Sequence, residues 1–287
     1  MVNGVFVGLS TIDLVYRVGE FPSPNSKVVA QSQDVFVGGP ATNAAITFKH
    51  LGGNSTLVTT VGSHALANVI FDELSRFSIR LNDLNPCFNR IPAISSIAVN
   101  EAGERDIISA NATRIDGISN HVDESILEDA SVVLVDGHFM PACQAWAKAA
   151  RARGIQVVFD GGSWKDGTEE LLKSVDTAIC SAYFVPPGCS TEGDVFTYLK
   201  SHGVTTTAIT KGAEQICYSS NLTNGTLQIK RIHVVDTMGA GDIFHGAFCY
   251  YSALGRDVAE SLAGAAKIAT ESCRFHGTRE WMKHVSF

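Results

Sequence analysis

No stretch of this chain approaches the roughly 18 consecutive apolar residues that a membrane-crossing helix requires, so no membrane span is expected. Positive charge is also in short supply. With 22 Lys and Arg against 29 Asp and Glu the net charge is −7, and no block of like charges interrupts that balance. A nucleic-acid surface is therefore not expected. The seven cysteines form no Cys-x-x-Cys pair and are odd in number, which sets aside zinc sites and a disulfide framework. They read as small buried hydrophobes in a reducing compartment. The start, Met1-Val2-Asn3-Gly4, has no basic leader, so the expectation is a cytoplasmic protein. Sequons at Asn54, Asn111, Asn221 and Asn224 carry little weight there. Two nucleotide fingerprints are missing as well: no Gly-x-Gly-x-x-Gly follows the first strand, and there is no Walker A run. Their absence counts against a Rossmann oxidoreductase and against a P-loop enzyme.

What is present is a chain of 287 residues with 45% hydrophobic and 18% charged residues, suited to a well-packed core and small-molecule chemistry. Its most specified stretch is Asp236-Thr237-Met238-Gly239-Ala240-Gly241-Asp242, running into Ile243-Phe244-His245-Gly246-Ala247-Phe248. Alternation over 227–235 predicts a strand ahead of it, and the small and apolar spacing over 243–254 predicts a helix behind it. A tight glycine turn at a helix start leaves backbone N–H groups pointing outward, where the helix dipole also favours an anion. Asp242 adds a carboxylate to that pocket. Phosphoryl transfer to an alcohol needs both, because a base takes the hydroxyl proton while N–H donors hold the charge of the transferring group. Read alone, the run is equally a glycine-capped connection with a first-turn acid.

The run Asp-Thr-x-Gly-Ala-Gly-Asp with x-Phe-x-Gly-Ala-Phe resembles the C-terminal signature of the ribokinase (PfkB) family of carbohydrate kinases. A second stretch, Gly38-Gly39-Pro40-Ala41-Thr42-Asn43-Ala44-Ala45, resembles that family's N-terminal signature Gly-Gly-x-x-x-Asn-x-Ala. The resemblance implies an α/β fold: a three-layer α/β/α core with a mostly parallel sheet and a small β-sheet lid over the sugar. It implies ATP-dependent phosphorylation of a sugar hydroxyl, with Asp242 as base and the Gly239, Ala240 and Gly241 amides as anion hole. It further implies ATP and Mg2+ as cofactors, leaving a monovalent cation open, and a homodimer formed through the lid.

Taken in order, residues 4–9 form a strand-length apolar run, and Asp13 follows where a first core strand would end. A carboxylate at such a place can accept sugar hydroxyls, or it simply starts a turn; in the family an Asp here contacts the sugar. Two excursions, over about 12–37 and 93–112, carry hairpin signals and supply the strands a lid needs. Gly38, Gly39 and Asn43 join Asp13 and Asp242 as substrate-binding candidates, glycine for close backbone approach and Asn for a donor and an acceptor together. Arg105, in the second excursion, reads mainly as a solvated turn residue. From residue 132 onward strands and helices alternate regularly, as parallel βαβ units do, and Asp160 ends one of those strands. The chain reads as one kinase domain, residues 1–287. By resemblance Thr210 and Gly212 line the nucleotide phosphates together with Gly239 and Gly241, and 273–277 helps enclose adenine.

Two departures stand out: Gln215 takes the place of a glycine common among relatives in the turn after Lys211, and the magnesium element is missing. Where relatives carry an Asn-x-x-Glu element for magnesium, this chain has Ser181-Ala182-Tyr183-Phe184-Val185-Pro186-Pro187, so its metal ligands are unassigned. Magnesium would then be held mainly by ATP phosphates and water, with Asp160 at a core strand end as another candidate partner. The wording of Asn100–Arg105 and Val234–Gly239 leans to a ketohexose or related furanose. A ribose or nucleoside kinase, and a non-catalytic sugar- or nucleotide-binding relative, remain as alternatives.

Overall fold

The computed structural model describes residues 1–102, 104–110 and 115–285. The sequon at Asn111, Gly103 in the second hairpin, and the end of the second excursion at 111–112 lie outside the described residues. Short runs rich in Val, Ile and Phe are joined by helices, and connections of that length bring successive strands together in one direction. The order is β1 (Asn3–Val7), β2 (Thr11–Arg17), β3 (Ser32–Gly38), α1 (Pro40–His50), β4 (Asn54–Thr59), α2 (Ala67–Arg76), β5 (Arg80–Asp83), β6 (Ile94–Val99) and β7 (Arg105–Ala110). It continues with α3 (Glu124–Leu127), β8 (Val132–Val135), α4 (Met140–Ala152), β9 (Gln156–Gly161), α5 (Thr168–Leu172), β10 (Thr177–Ser181) and α6 (Glu192–Ser201). Then come β11 (Thr206–Thr210), β12 (Ile216–Ser220), β13 (Asn224–Leu227), α7 (Ala240–Ala253) and α8 (Val258–Ser272).

Nine strands form the main sheet in the order β13-β12-β11-β10-β9-β8-β1-β4-β5. From β5 to β11 every neighbouring pair is parallel, and β12 and β13 close one edge antiparallel. Alternate strand residues feed two separate cores. Phe6, Leu57, Leu134, Val158 and Ile179 pack under α1, α2, α7 and α8. Val5, Val7, Val133, Val135 and Phe159 pack under α3, α4, α5 and α6. This is the three-layer α/β fold expected, with helices on both faces of a buried, mostly parallel sheet. Four of the seven cysteines, Cys143, Cys180, Cys249 and Cys273, are buried and all seven are free thiols. Among the described residues no helix is long and apolar enough to cross a membrane.

The chain order reverses at β1, which lies between β4 and β8. In an open α/β sheet a crevice forms outside the strand ends at such a reversal, and ligands bind there. At this point β2, β3, β6 and β7 leave the main sheet and pair as β3-β2-β6-β7, with β2 and β6 parallel. Asp13 therefore sits on the second strand of this small sheet, not at the end of a core strand, because β1 stops at Val7 and a new strand starts at Thr11. The strand expected over 227–235 is also absent. Its pairing ends at Leu227 on the sheet edge; beyond it, among the described residues, the backbone is anchored at Val235 N and Asp236 N, both to Cys273 O at 2.8 and 3.2 Å. The apolar alternation there is left partly in solvent, with Val234 50% exposed.

Helices α1 and α7 cross in close contact on one face of the sheet, and Gly246 makes that possible. A Cβ at position 246 would fall 2.3 Å from Ala44 O. Gly246→Val is expected to lower stability by about 1–3 kcal/mol through overpacking. Urea unfolding measures it, and an unchanged midpoint would show that the two helices can separate without cost.

Candidate active site

The site is assembled from the start of α7, the start of α1, the small sheet and a strap beyond α8. Gly239 adopts φ 66°, the left-handed conformation that glycine tolerates, and so turns the chain abruptly into α7. Asp236 fixes the turn from below: its Oδ1 accepts from Met238 N and its Oδ2 from Gly277 N, each at 2.9 Å. Of the three amides expected in the anion hole, that of Ala240 is turned back to Thr237 O at 3.3 Å. The amides of Gly239, Gly241 and Asp242 meet no protein acceptor among the described residues. Space is open above them, since a Cβ at Gly241 would touch nothing within 4 Å. Unpaired N–H donors at a helix start, with room in front of them, form an anion site.

Asp242 stands in that same first turn. Its Oδ2 accepts from Asn43 Nδ2 at 2.7 Å, which ties α7 to α1. Burial pushes its carboxyl up to about 7, and the charge of Asp160 works in the same direction; the Asn43 hydrogen bond and His245 pull the other way. A carboxylate balanced near neutrality is what general-base chemistry asks for. Asp160 is buried as well and likewise raised, first by desolvation and then opposed by His245. His245, one turn beyond Asp242, sets Nδ1 2.7 Å from Gly241 O and Nε2 3.1 Å from Ile179 O, with Asp160 at 3.5 Å. Carbonyls face both ring nitrogens, and a neutral imidazole could donate to only one of them.

On the opposite wall, Gly38 and Gly39 join β3 to α1. Gly39 has φ 96°, and a Cβ at Gly38 would lie 2.0 Å from Asp13 Oδ2, so the glycine is what lets Asp13 stand there. Thr11 Oγ1 donates to Asp13 Oδ1 at 2.9 Å, yet burial still raises the Asp13 carboxyl above its usual range. Arg105, exposed as expected but at the start of β7 and not in a turn, reaches across to hydrogen-bond Thr237 Oγ1 in the anion loop. The structure thus brings Asp13, Gly38, Gly39, Asn43, Gly239, Ala240, Gly241 and Asp242 into one crevice.

Thr210 and Gly212 lie apart from this cluster, at the end of β11. Thr210 Oγ1 donates to Cys180 O at 3.4 Å, and Gly212 is exposed with nothing within 4 Å of a would-be Cβ. Lys211 is held by Glu192 at 2.8 Å. The 181–187 stretch packs by its aromatic ring instead of offering ligands: Phe184 is buried against Phe159 and Trp164. Among the described residues no group of three or more His, Cys, Asp or Glu side chains is placed to hold a metal ion. The free amides of Gly239, Gly241 and Asp242 and the open turn at 212 fit nucleotide phosphates. A magnesium ion would be carried by those phosphates and by water, with no ligand from these amides.

Three residues escaped the sequence. Arg279, past the last helix, sends Nη1 to Asn43 Oδ1 at 2.9 Å and Nε to Glu73 Oε1 at 3.0 Å. No periodicity or motif marks such a strap, or the glutamate that meets it. Asp136, at the end of β8, accepts from Leu9 N at 2.8 Å, Ala41 N at 3.3 Å and His138 N at 2.9 Å, and so fixes both chain segments that border the crevice. Its place at a strand end was the signal, the same one that drew attention to Asp13.

A family model described as pfkB family carbohydrate kinase matches residues 2–284. The chain is 24% identical over 257 residues to a ribokinase of Staphylococcus aureus, covering 85% of this chain and 84% of that one. It is 21% identical over 255 residues to the fructosamine kinase FrlD of Bacillus subtilis, covering 86% and 87%. A solved structure from E. coli, described as a ribokinase II in complex with ATP and Mg2+, superposes with a TM-score of 0.82 at 19% identity, covering 98% of this chain and 96% of that one.

Replacing Asp236 by Ala removes the acceptor of two loop amides, each worth about 1–3 kcal/mol when left unpaired and buried. The expected result is a lower urea midpoint together with weaker protection of the Met238 and Gly277 amides from hydrogen exchange. Unchanged exchange at both would show that Asp236 does not hold the loop.

Proposed function

The chain belongs to the pfkB family of carbohydrate kinases, and from that premise we propose that it transfers the γ-phosphoryl group of ATP to a sugar hydroxyl at the Asp242 crevice. One observation carries the assignment of roles: a carboxylate poised near pH 7 shares the first turn of α7 with amides that have no protein acceptor. Asp242 takes the proton of the attacking hydroxyl as its oxygen forms a bond to the γ-phosphorus. The bond from that phosphorus to the β–γ bridging oxygen breaks, and ADP leaves. The amides of Gly239, Gly241 and Asp242 face the charge that builds on the transferring group, where a preorganised donor in a dry site is worth about 3–4 kcal/mol. Thr210 and Gly212 are assigned to the nucleotide phosphates. Magnesium, held by those phosphates, supplies charge neutralisation when bound.

Asp13, Gly38, Gly39 and Asn43 are assigned to the sugar. A ketohexose or related furanose is the substrate class we favour from the wording of the lid and anion-loop motifs. The relatives named ribokinase support ribose as the second reading, and the one named fructosamine kinase supports a ketose derivative. We assign residues 1–287 to one kinase domain, with the small sheet as its lid. Its outer face carries a row in which Val35, Leu14, Ser96 and Ile108 stand side by side, and Val35 and Ile108 are 52% and 79% exposed. That apolar row supports a homodimer formed through the lid. The free thiols fit a reducing cytoplasm.

The experiment is ADP release with ATP and Mg2+ against fructose, 6-substituted fructoses, tagatose, ribose and nucleosides. Asp242→Asn is expected to lower sugar-dependent turnover about 10²–10⁴-fold or more while leaving sugar affinity nearly intact. Near-normal turnover in that variant would remove Asp242 as the base, and release that no sugar stimulates would favour a binding-only relative.

The pH dependence follows from the same carboxylate. Its raised value means the base form is lost as pH falls, so kcat/KM for the sugar should rise with pH through an inflection near 7. A rate that stays flat from pH 5 to 8, a range chosen to bracket about 7, would contradict the raised Asp242.

A further inference from the structure

Among the described residues Asp242 receives one side-chain hydrogen bond, from Asn43 Nδ2 at 2.7 Å. A carboxamide carries a donor at one end and an acceptor at the other, so its orientation decides which form of the carboxyl it favours. With Nδ2 toward Asp242 it favours the carboxylate; turned over, with Oδ1 toward Asp242, it would favour the protonated acid. The far end of Asn43 settles the orientation. Asn43 Oδ1 accepts from Arg279 Nη1 at 2.9 Å, and a guanidinium has no acceptor to offer a turned amide.

Arg279 is itself pinned. Its Nε donates to Glu73 Oε1 at 3.0 Å, its Nη2 to Val37 O at 2.9 Å, and Nη1 also to Thr278 O at 3.3 Å. Its side chain is 10% exposed and that of Glu73 16%, so the pair is shielded from water. The strap that carries it is anchored on both sides, by Gly277 N on Asp236 and by the buried Trp281, whose Nε1 donates to Thr278 O at 3.0 Å.

We propose that Arg279, held by Glu73, is a positioning residue for the general base: it locks the Asn43 amide as a donor to Asp242 and so keeps that carboxylate ready to take a proton. The inference rests on the assignment of Asp242 as base. Other charges face the same carboxylate, namely Asp160 from β9, Asp13 from β2 and His245 from α7 itself, while Glu73 and Asp13 face Arg279 alongside Asp242. A guanidinium could also act on Asp242 directly through space. The two routes differ in whether Asn43 is needed.

The test is a 13C NMR titration of the Asp242 carboxyl in protein labelled at the Asp side chains, with its signal identified by loss in Asp242→Asn. Arg279→Met is expected to raise the titration midpoint by about one pH unit, and Glu73→Gln to raise it in the same direction by less. In an Asn43→Ala background Arg279→Met should add no further shift. An unmoved midpoint in both single variants overturns the proposal, and so does an undiminished shift in the Asn43→Ala background, which would be the through-space route. If Arg279→Met does not fold, Arg279→Lys, which keeps the charge and loses the fork, takes its place: a raised midpoint supports the proposal and an unmoved one overturns it. Turnover separates the layers: activity retained in Asp242→Asn removes the base and the inference with it. Activity lost there, with the midpoint unmoved in Arg279→Met, removes the inference alone.

Discussion

The hydrogen bond between Asn43 and Asp242 is the constraint around which this molecule is arranged. It joins residues 199 positions apart, and it holds only if α1 and α7 begin at the same crevice and cross without a gap. Gly246 lets them approach to backbone contact with Ala44. The reversal of strand order at β1 supplies the crevice. Asp136 secures the β1–β2 link at Leu9 and the first turn of α1 at Ala41, and Asp236 secures the turn that leads into α7. Both of these acids are satisfied by amide hydrogens and not by a paired cation. That suits a place where a mobile long side chain would blur the geometry.

The crevice gathers more carboxylates than a stable core would choose. Asp13, Asp160 and Asp242 are all shifted up, each chiefly because burial disfavours its charged form. A raised acid opposes folding at pH values where it must ionise, and relieves that cost when it protonates. Arg279 and His245 offset part of this from within the cluster. The outcome at Asp242 is a carboxyl raised to about 7, which exchanges its one proton near neutrality. A cost of this kind belongs at a functional site, where a sequence departs from the choices that would serve stability alone.

Much of the site was legible because it rests on short, contiguous chemistry. The Gly239–Asp242 turn and the Gly38–Asn43 helix start each declare themselves within a handful of residues, since a glycine that must turn or admit a neighbour cannot be replaced by a bulkier residue. Alternation misled over 227–235, where apolar residues follow a strand's period but no neighbouring strand pairs with them. Asp13 was placed at the wrong strand because two strands follow one another across only three residues. Arg279 and Glu73 could not be read at all. They meet across 206 positions, and an arginine in an irregular tail or a glutamate on an amphipathic helix looks like ordinary solvated surface until the fold buries both.

The small sheet shows how one alternation can serve two purposes. Asp13 lies beside Phe36 and Ser95, and Ser95 beside Ser109, so this row shares a face with Val15, Ile97 and Ile107 two residues along and with Arg17, Val99 and Arg105 four residues along. That face looks into the crevice, as the Asp13 contact with Gly38 and the Arg105 bond to Thr237 require. The residues between them, Leu14, Val35, Ser96 and Ile108, take the other face, where Val35 and Ile108 are exposed while Leu14 is half-buried against the main core. A one-residue slip of β2 would turn Asp13 away from the crevice and Leu14 toward it. The register of four short strands therefore fixes, in a single choice, the polarity of the crevice roof and the character of the surface behind it.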